Sequence, residues 1–366
     1  MENLQPKLRF PEFRDVLKVD VIENICKVDT GNKDTQNKVE NGEYPFFVRS
    51  NNVEKINSFS YDGEAVLTSG DGVGVGKNYH YINGKFDYHQ RVYCMKDFKN
   101  VNARYFYYQF SNKFYNRVMR MTAKNSVDSV RREMITKMDF FIPSIQEQTK
   151  IADFLGAVDK QLDVLNQKKE KLNLYKKGVM QQLFAQQLRF KNDNGNDFPD
   201  WQEKMLGEVA IKKSSNLTVS NVDDLKGEYI LYGASGIIDK INFYQEENEY
   251  ISIIKDGSGV GRTFLCKKFS SVLGTLDKIV AKDNIHIYFL YSVLNNIKFE
   301  KYITGSTIPH IYYKDYSKEK IQVPSLEEQT KIANFLIAID NQILALENQI
   351  TKTETYKKGL LQQMFV

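Results

Sequence analysis

The feature that most constrains this chain is a long phrase that occurs twice. IPSIQEQTKIADFLGAVDKQ begins at Ile142 and VPSLEEQTKIANFLIAIDNQ begins at Val323. The same offset of 181 residues relates Pro143 to Pro324, Tyr175 to Tyr356 and Phe184 to Phe365, without a gap. About half the positions match, and a period this long means duplicated modules, not a solenoid of short repeats. Each copy follows a long stretch of dissimilar sequence, so the plan is module, helix, module, helix.

The helical reading rests on spacing. Ser144 with Glu147, and Ser325 with Glu328, have the spacing of a capping box just after a proline. Downstream, Ile151, Leu155, Val158, Leu162, Leu165, Leu172, Val179 and Leu183 recur at threes and fours. The second copy answers with Ile332, Leu336, Ile339, Ile343, Leu346, Ile350, Leu360 and Met364. That is the seam of a coiled coil, interrupted at Lys169 and Lys176 in one copy and at Thr353 and Lys357 in the other. Two stripes of equal length are expected to bury each other as an antiparallel pair. Each helix would span about 60 Å at 1.5 Å per residue. Asp159 and Asp340 are each able to cap a new helix, which leaves a break at those points open.

The two modules share landmarks despite their divergence. GEYPFFVRSNN from Gly42 corresponds to GEYILYGASG from Gly227, and SGDGVGVGKNYH from Ser69 to IKDGSGVGRTFL from Ile254. TAKNSVDSVRREM from Thr122 matches ITGSTIPHIYYKD from Ile303, and the lead-in LRF recurs at Leu8 and Leu188. Short β-branched and aromatic runs alternate with turns and are followed by a helical stretch, so each module reads as α+β. The expected division is a first module over 1–142, a helical region over 143–190, a linker with the second module over 191–322, and a second helical region over 323–366.

Motifs for chemistry are few. The Gly-rich loop fails the P-loop pattern: Asp71 and Asp256 stand where the first glycine belongs, Asn78 replaces the Ser/Thr in the first copy, and Arg262 replaces the lysine in the second. A tight turn with positive φ explains the glycines, and a backbone approaching phosphate is the functional alternative. There is no Pro-Pro pair for an amino-methyltransferase motif, the four histidines lack metal spacing, and no Ser-His-Asp constellation stands out. His80 and His89, among Tyr and Gln in an expected hairpin, are explained by surface or packing roles at least as well as by ligation. The three cysteines are scattered singly, no signal peptide or long apolar run is present, and net charge is +5. These features fit a cytoplasmic, non-membrane, non-enzymatic chain that tolerates an acidic partner.

Pro-Ser-x-x-Glu-Gln-x-x-Ile-Ala, a following Asp, and the closing Tyr-Lys-Lys-Gly-x-x-Gln-Gln-x-Phe, all present twice, resemble the specificity subunit of type I restriction-modification systems. The resemblance spans essentially the whole chain. It implies two target-recognition domains, each reading one half of a split double-stranded DNA target, with two conserved helical regions fixing the gap. It also implies docking of two modification (methyltransferase) subunits and of restriction (endonuclease/translocase) subunits. S-adenosylmethionine, ATP and magnesium would then belong to those partners, with no cofactor or metal on this chain. By position, the DNA-contacting candidates in the first domain are Arg49, Asn51, Asn52, Lys77, Arg91, Arg131 and Arg132. In the second they are Lys255, Arg262, Lys278, Ser306, Thr307 and His310, chosen because Arg suits guanine, Asn suits adenine and basic groups suit phosphate. The rival reading is a coiled-coil scaffold with two protein-binding modules, which predicts no salt-dependent DNA binding.

Overall fold

The computed structural model describes residues 5–72, 74–122, 129–222 and 226–366. Val73 of the Gly loop and residues 123–128 of the landmark that starts at Thr122 lie outside the described residues. The chain forms two compact units, Met1–Asn166 with Asn348–Val366, and Gln167–Glu347.

In the first unit, a six-stranded sheet is built from β1 (Lys27–Thr30), β2 (Tyr44–Phe47), β3 (Val53–Ile56), β4 (Tyr61–Ser69), β5 (Tyr79–Tyr88) and β6 (Val92–Lys96), in the order β1-β6-β4-β5-β2-β3. All pairs are antiparallel except β2 with β5. Helix α1 (Ala103–Met121) is capped by Asn102, whose side chain accepts from the Arg104 and Tyr105 amides. Its Phe106, Phe110 and Phe114 stack in sequence and are fully buried.

The long helices are α2 (Ile145–Phe184) and, later in the chain, α4 (Leu326–Met364), each continuous. The break left open at Asp159 and Asp340 therefore does not occur. Each aspartate has other work: Asp159 accepts from the Tyr108 hydroxyl at 2.7 Å and pairs with Lys357, while Asp340 accepts from Tyr288 and pairs with Lys176. Lys169 faces Glu347 at 3.9 Å. As the number on α2 rises its partner on α4 falls, so within each unit the helix segments run antiparallel. The charged interruptions of the seam are filled by cross-helix ion pairs.

The apolar stripe does more than zip two helices. Ile151, Leu155 and Val158, with Leu360, Met364 and Phe365, belong to the core of the first unit. Val179 and Leu183, with Ile332, Ala333, Leu336 and Ile339, belong to that of the second. The second unit also carries the sheets β7-β13-β10-β11 and β9-β8-β12. Their strands are β7 (Ala210–Ser214), β8 (Lys226–Gly233), β9 (Gly236–Ile241), β10 (Tyr250–Ile254), β11 (Thr263–Cys266), β12 (Ser270–Val272) and β13 (Leu276–Ala281). Helix α3 (Ile287–Asn296) follows, capped by His286.

The repeated motif fixes the modules to the helices. Ser144 and Ser325 cap as expected, accepting from the Glu147 and Glu328 amides at 3.3 and 3.4 Å. The glutamates do not complete a capping box. Glu147 is buried and takes a bidentate pair from Arg9 at 2.7 Å; Glu328 takes Arg189 at 2.9 and 3.2 Å and the Trp201 indole at 3.0 Å. A buried carboxylate demands a charged partner, and the LRF lead-in supplies one each time. The adjacent glutamines join two helix starts. Gln148 accepts from the Asn102 amide and donates to Pro143, and Gln329 accepts from the His286 amide and donates to Pro324.

Candidate nucleic-acid interface

The Gly loop after β4 is tied to three other segments by two backbone hydrogen bonds and one from a side chain. Gly70 donates to the Arg91 carbonyl at 2.7 Å, Val130 donates back to Gly70 at 2.7 Å, and Asn78 Nδ2 donates to the Arg49 carbonyl at 3.0 Å. Asp71 forms an isolated antiparallel bridge with Ser129. Gly72 and Gly76 adopt φ of 81° and 64°, and a Cβ on Gly74 would lie 2.7 Å from the Arg49 carbonyl. The glycines are thus explained by left-handed backbone and close approach.

This stitching gathers the first-domain candidates. Arg49, Asn51 and Lys77 line one cleft of about 540 Å³ with Gly72, Gly74 and Asn78. Asn52 is exposed in the same β2–β3 loop, its carbonyl accepting from Ser50 Oγ. Arg91 joins through Asp71, whose two carboxylate oxygens face Arg49 Nη1 at 3.3 Å and Arg91 Nε at 3.7 Å. Arg131 is exposed beside Val130, at the start of a short helix. Arg132 is tied down, donating from Nη2 to the Val28 carbonyl at 2.9 Å. His89 is buried under this loop cluster, and its Nδ1 accepts from the Arg91 amide at 2.9 Å; its role is packing.

The second domain repeats the scaffold with different side chains. Asp256 bridges His310 as Asp71 bridges Ser129, Ile311 donates to Lys255 at 3.0 Å as Val130 does to Gly70, and Lys255 donates to Thr275 at 3.0 Å as Gly70 does to Arg91. Arg262 is exposed, its Nη2 3.5 Å from the Ala234 carbonyl. Thr304 and His310 close a small hairpin whose exposed tip carries Ser306 and Thr307, with Gly305 at φ 87° making the turn. Gly257 donates to Pro309 at 2.9 Å and fixes that tip to the Gly loop.

Lys278 is the candidate that the structure removes. It lies on β13, is 5% exposed, and its ammonium is held 2.9 Å from Glu246, which also binds Lys213. Burial raises the Glu246 carboxyl, but hydrogen bonds from Lys213 and Lys278 outweigh it and hold the group below its ordinary value. Lys255 is partly engaged, 3.8 Å from Asp277. Burial pushes Asp277 up, against the pull of Lys212 and Lys255.

Sequence reasoning missed Asp71, Asp256, Asn78 and the exposed Ile308 at the hairpin tip. Asp71 and Asp256 occupy equivalent places in the two Gly loops, and that correspondence is the signal that marks them. Among the described residues no cluster of histidine, cysteine and carboxylate is placed to hold a metal, and no helix is long and apolar enough to cross a membrane.

A family model described as "Type I restriction modification DNA specificity domain" matches residues 18–174 and again 199–353. The MjaVIII type I restriction enzyme specificity subunit of Methanocaldococcus jannaschii is 32% identical over 197 residues, covering 50% of this chain. That match takes in 46% of the relative, so the chain spans about half its length. The EcoDI specificity subunit of Escherichia coli is 22% identical, across 93% of this chain and 85% of its own. Among solved structures, the type I restriction-modification S subunit of M. genitalium superposes with a TM-score of 0.71 at 16% identity, covering 99% of both chains, which shows the shared fold.

Proposed function

Because this chain belongs to the type I restriction-modification DNA specificity family, as a specificity subunit with two target-recognition domains, we propose that each Gly loop and the segments stitched to it contact one half of a split duplex target. The single observation that carries this reading is the repeated strap, Asp71 to Ser129 and Asp256 to His310, holding unrelated side chains on one scaffold. A common frame with divergent loops suits a reader of two different half-sites. The proposed contacts are Arg49, Asn51, Asn52, Lys77, Arg91 and Arg131 in the first domain, and Lys255, Arg262, Ser306, Thr307 and His310 in the second. Arg132, with one N–H group held by a carbonyl, contributes positive charge beside them.

The unbroken helices support the proposal that they fix the gap between half-sites. The modification subunits are proposed to dock on a face that each helix repeats. Lys171, Tyr175, Gly178 and Gln182 fall along one stripe of α2, and Lys352, Tyr356, Gly359 and Gln363 along α4. Tyr175 and Tyr356 are 51% and 54% exposed, and a Cβ on either glycine would meet nothing within 4 Å. Among the described residues nothing lies where those Cβ atoms would go, which suits a partner seated closely on each stripe. Restriction subunits would join the same assembly. Catalysis, S-adenosylmethionine, ATP and magnesium are assigned to these partners, in the cytoplasm, and this chain is read as non-enzymatic.

The test is selection from duplexes with randomised segments, using the chain purified with its modification subunits. The expected result is one split motif bound with affinity that falls steeply as salt rises. Retention of no duplex above background would favour the scaffold of two protein-binding modules.

A further inference from the structure

An acid in a face meant to meet phosphates calls for a reason. Asp71 holds Arg49 and Arg91, so neutralising those arginines is the simplest one. The second domain removes it. The place that Arg49 holds in GEYPFFVRSNN is held by Ala234 in the corresponding GEYILYGASG. The carbonyl that receives the loop's backbone bond is Arg91's in the first and Thr275's in the second. Both arginines are thus replaced by uncharged residues, and the aspartate is still present as Asp256.

Asp256 has no evident structural duty. Its side chain is 43% exposed, and its nearest cation, Lys255 Nζ, stands 4.0 Å away while also facing Asp277. Among the described residues no donor is within hydrogen-bond distance of its carboxylate. Its backbone, by contrast, is held in the strap to His310, so the residue's place in the loop is fixed while its carboxylate is left open. Asp71 is similarly fixed and is 23% exposed.

We propose that Asp71 and Asp256 are specificity-determining residues, each accepting a hydrogen bond from the exocyclic amino group of a cytosine or adenine in its own half-site. This rests on the reading of the Gly loops as DNA-facing. A carboxylate is acceptor-only and is repelled by phosphate, so among the groups of a duplex it suits the N4 or N6 amino groups on the major-groove edge. In the first domain Arg49 and Arg91 flank the acid, and a guanidinium is the natural partner of a guanine beside or opposite that base.

The experiment repeats the selection with the wild-type complex, with Asp71→Ala and with Asp256→Ala. Asp71→Ala is expected to lower the preference for an amino-bearing base at one position of one half-site by about ten- to a hundredfold, with the other half unchanged. Asp256→Ala is expected to do the same in the other half. The untouched half reports in each case that the complex has folded and assembled. A wild-type split motif that both variants leave intact, or weaken equally at every position, would overturn the inference while leaving the DNA-facing reading standing. A wild-type complex that selects no motif would overturn that reading and the inference together.

Discussion

At the scale of single residues, the Arg9–Glu147 pair shows how burial decides a side chain's role. Arg9 has 10% and Glu147 2% of the side chain exposed. Arg9→Ala leaves a buried carboxylate unpaired and should destabilise the first unit by about 3 kcal/mol, read by denaturant titration. Replacing both partners with apolar residues of similar size should recover most of that loss. Burial elsewhere in the chain sets a pH dependence. Burial lowers the His89 imidazole below 6.5, with Arg49 and Arg91 adding to the lowering and Asp34 and Asp71 opposing it. His80 and His286 are lowered by burial too. The unfolded chain therefore binds protons that the folded chain resists. This contribution is complete above 6.5 and is lost as pH falls toward the folded values. The melting temperature should drop between about pH 7 and 5.5, and His89→Gln should make that fall shallower. Lys278 marks the limit of reading at this scale. A lysine in DKIVAK looks like any basic residue in sequence, and only the fold brings it against Glu246.

At the scale of elements, periodicity located both long helices and their apolar stripes, because apolar residues at alternating threes and fours line one side of a helix and would scatter over both faces of a strand. It did not reveal that the ends of the stripe belong to module cores, since a buried leucine looks alike in either setting. The serine of the repeated motif was legible as a cap; the role of its glutamate depended on an arginine more than a hundred residues away. Asp159 and Asp340 read in sequence as candidate caps of a new helix; Lys357 and Lys176, distant in sequence, are what they pair with instead. The exposed stripe makes a prediction of its own. Gly178→Ala with Gly359→Ala should stabilise the isolated chain by about 1 kcal/mol per site, because glycine is poor in a helix interior. The same changes, and Tyr175→Ala with Tyr356→Ala, should weaken co-purification with the modification subunit. If the glycine variants were more stable and bound that subunit as well as the unaltered chain, the stripe would not be its docking face.

For the whole molecule, duplication carried most of what the sequence disclosed. Two copies of one plan made the equivalent loops visible within a single chain, whereas the compact units divide each long helix between them instead of following the expected bounds. The residues proposed to contact DNA were less legible, because their exposure and their neighbours arise from straps between distant segments. Duplication also implies that the two domains act separately. The most direct test exchanges residues 196–322 for the corresponding segment of another specificity subunit, expresses original and hybrid with the modification subunit in a host lacking adenine methylation, and maps N6-methyladenine. The account predicts a split motif for the original chain and, for the hybrid, the same motif with one block changed and the other retained. A hybrid motif altered in both blocks would contradict it.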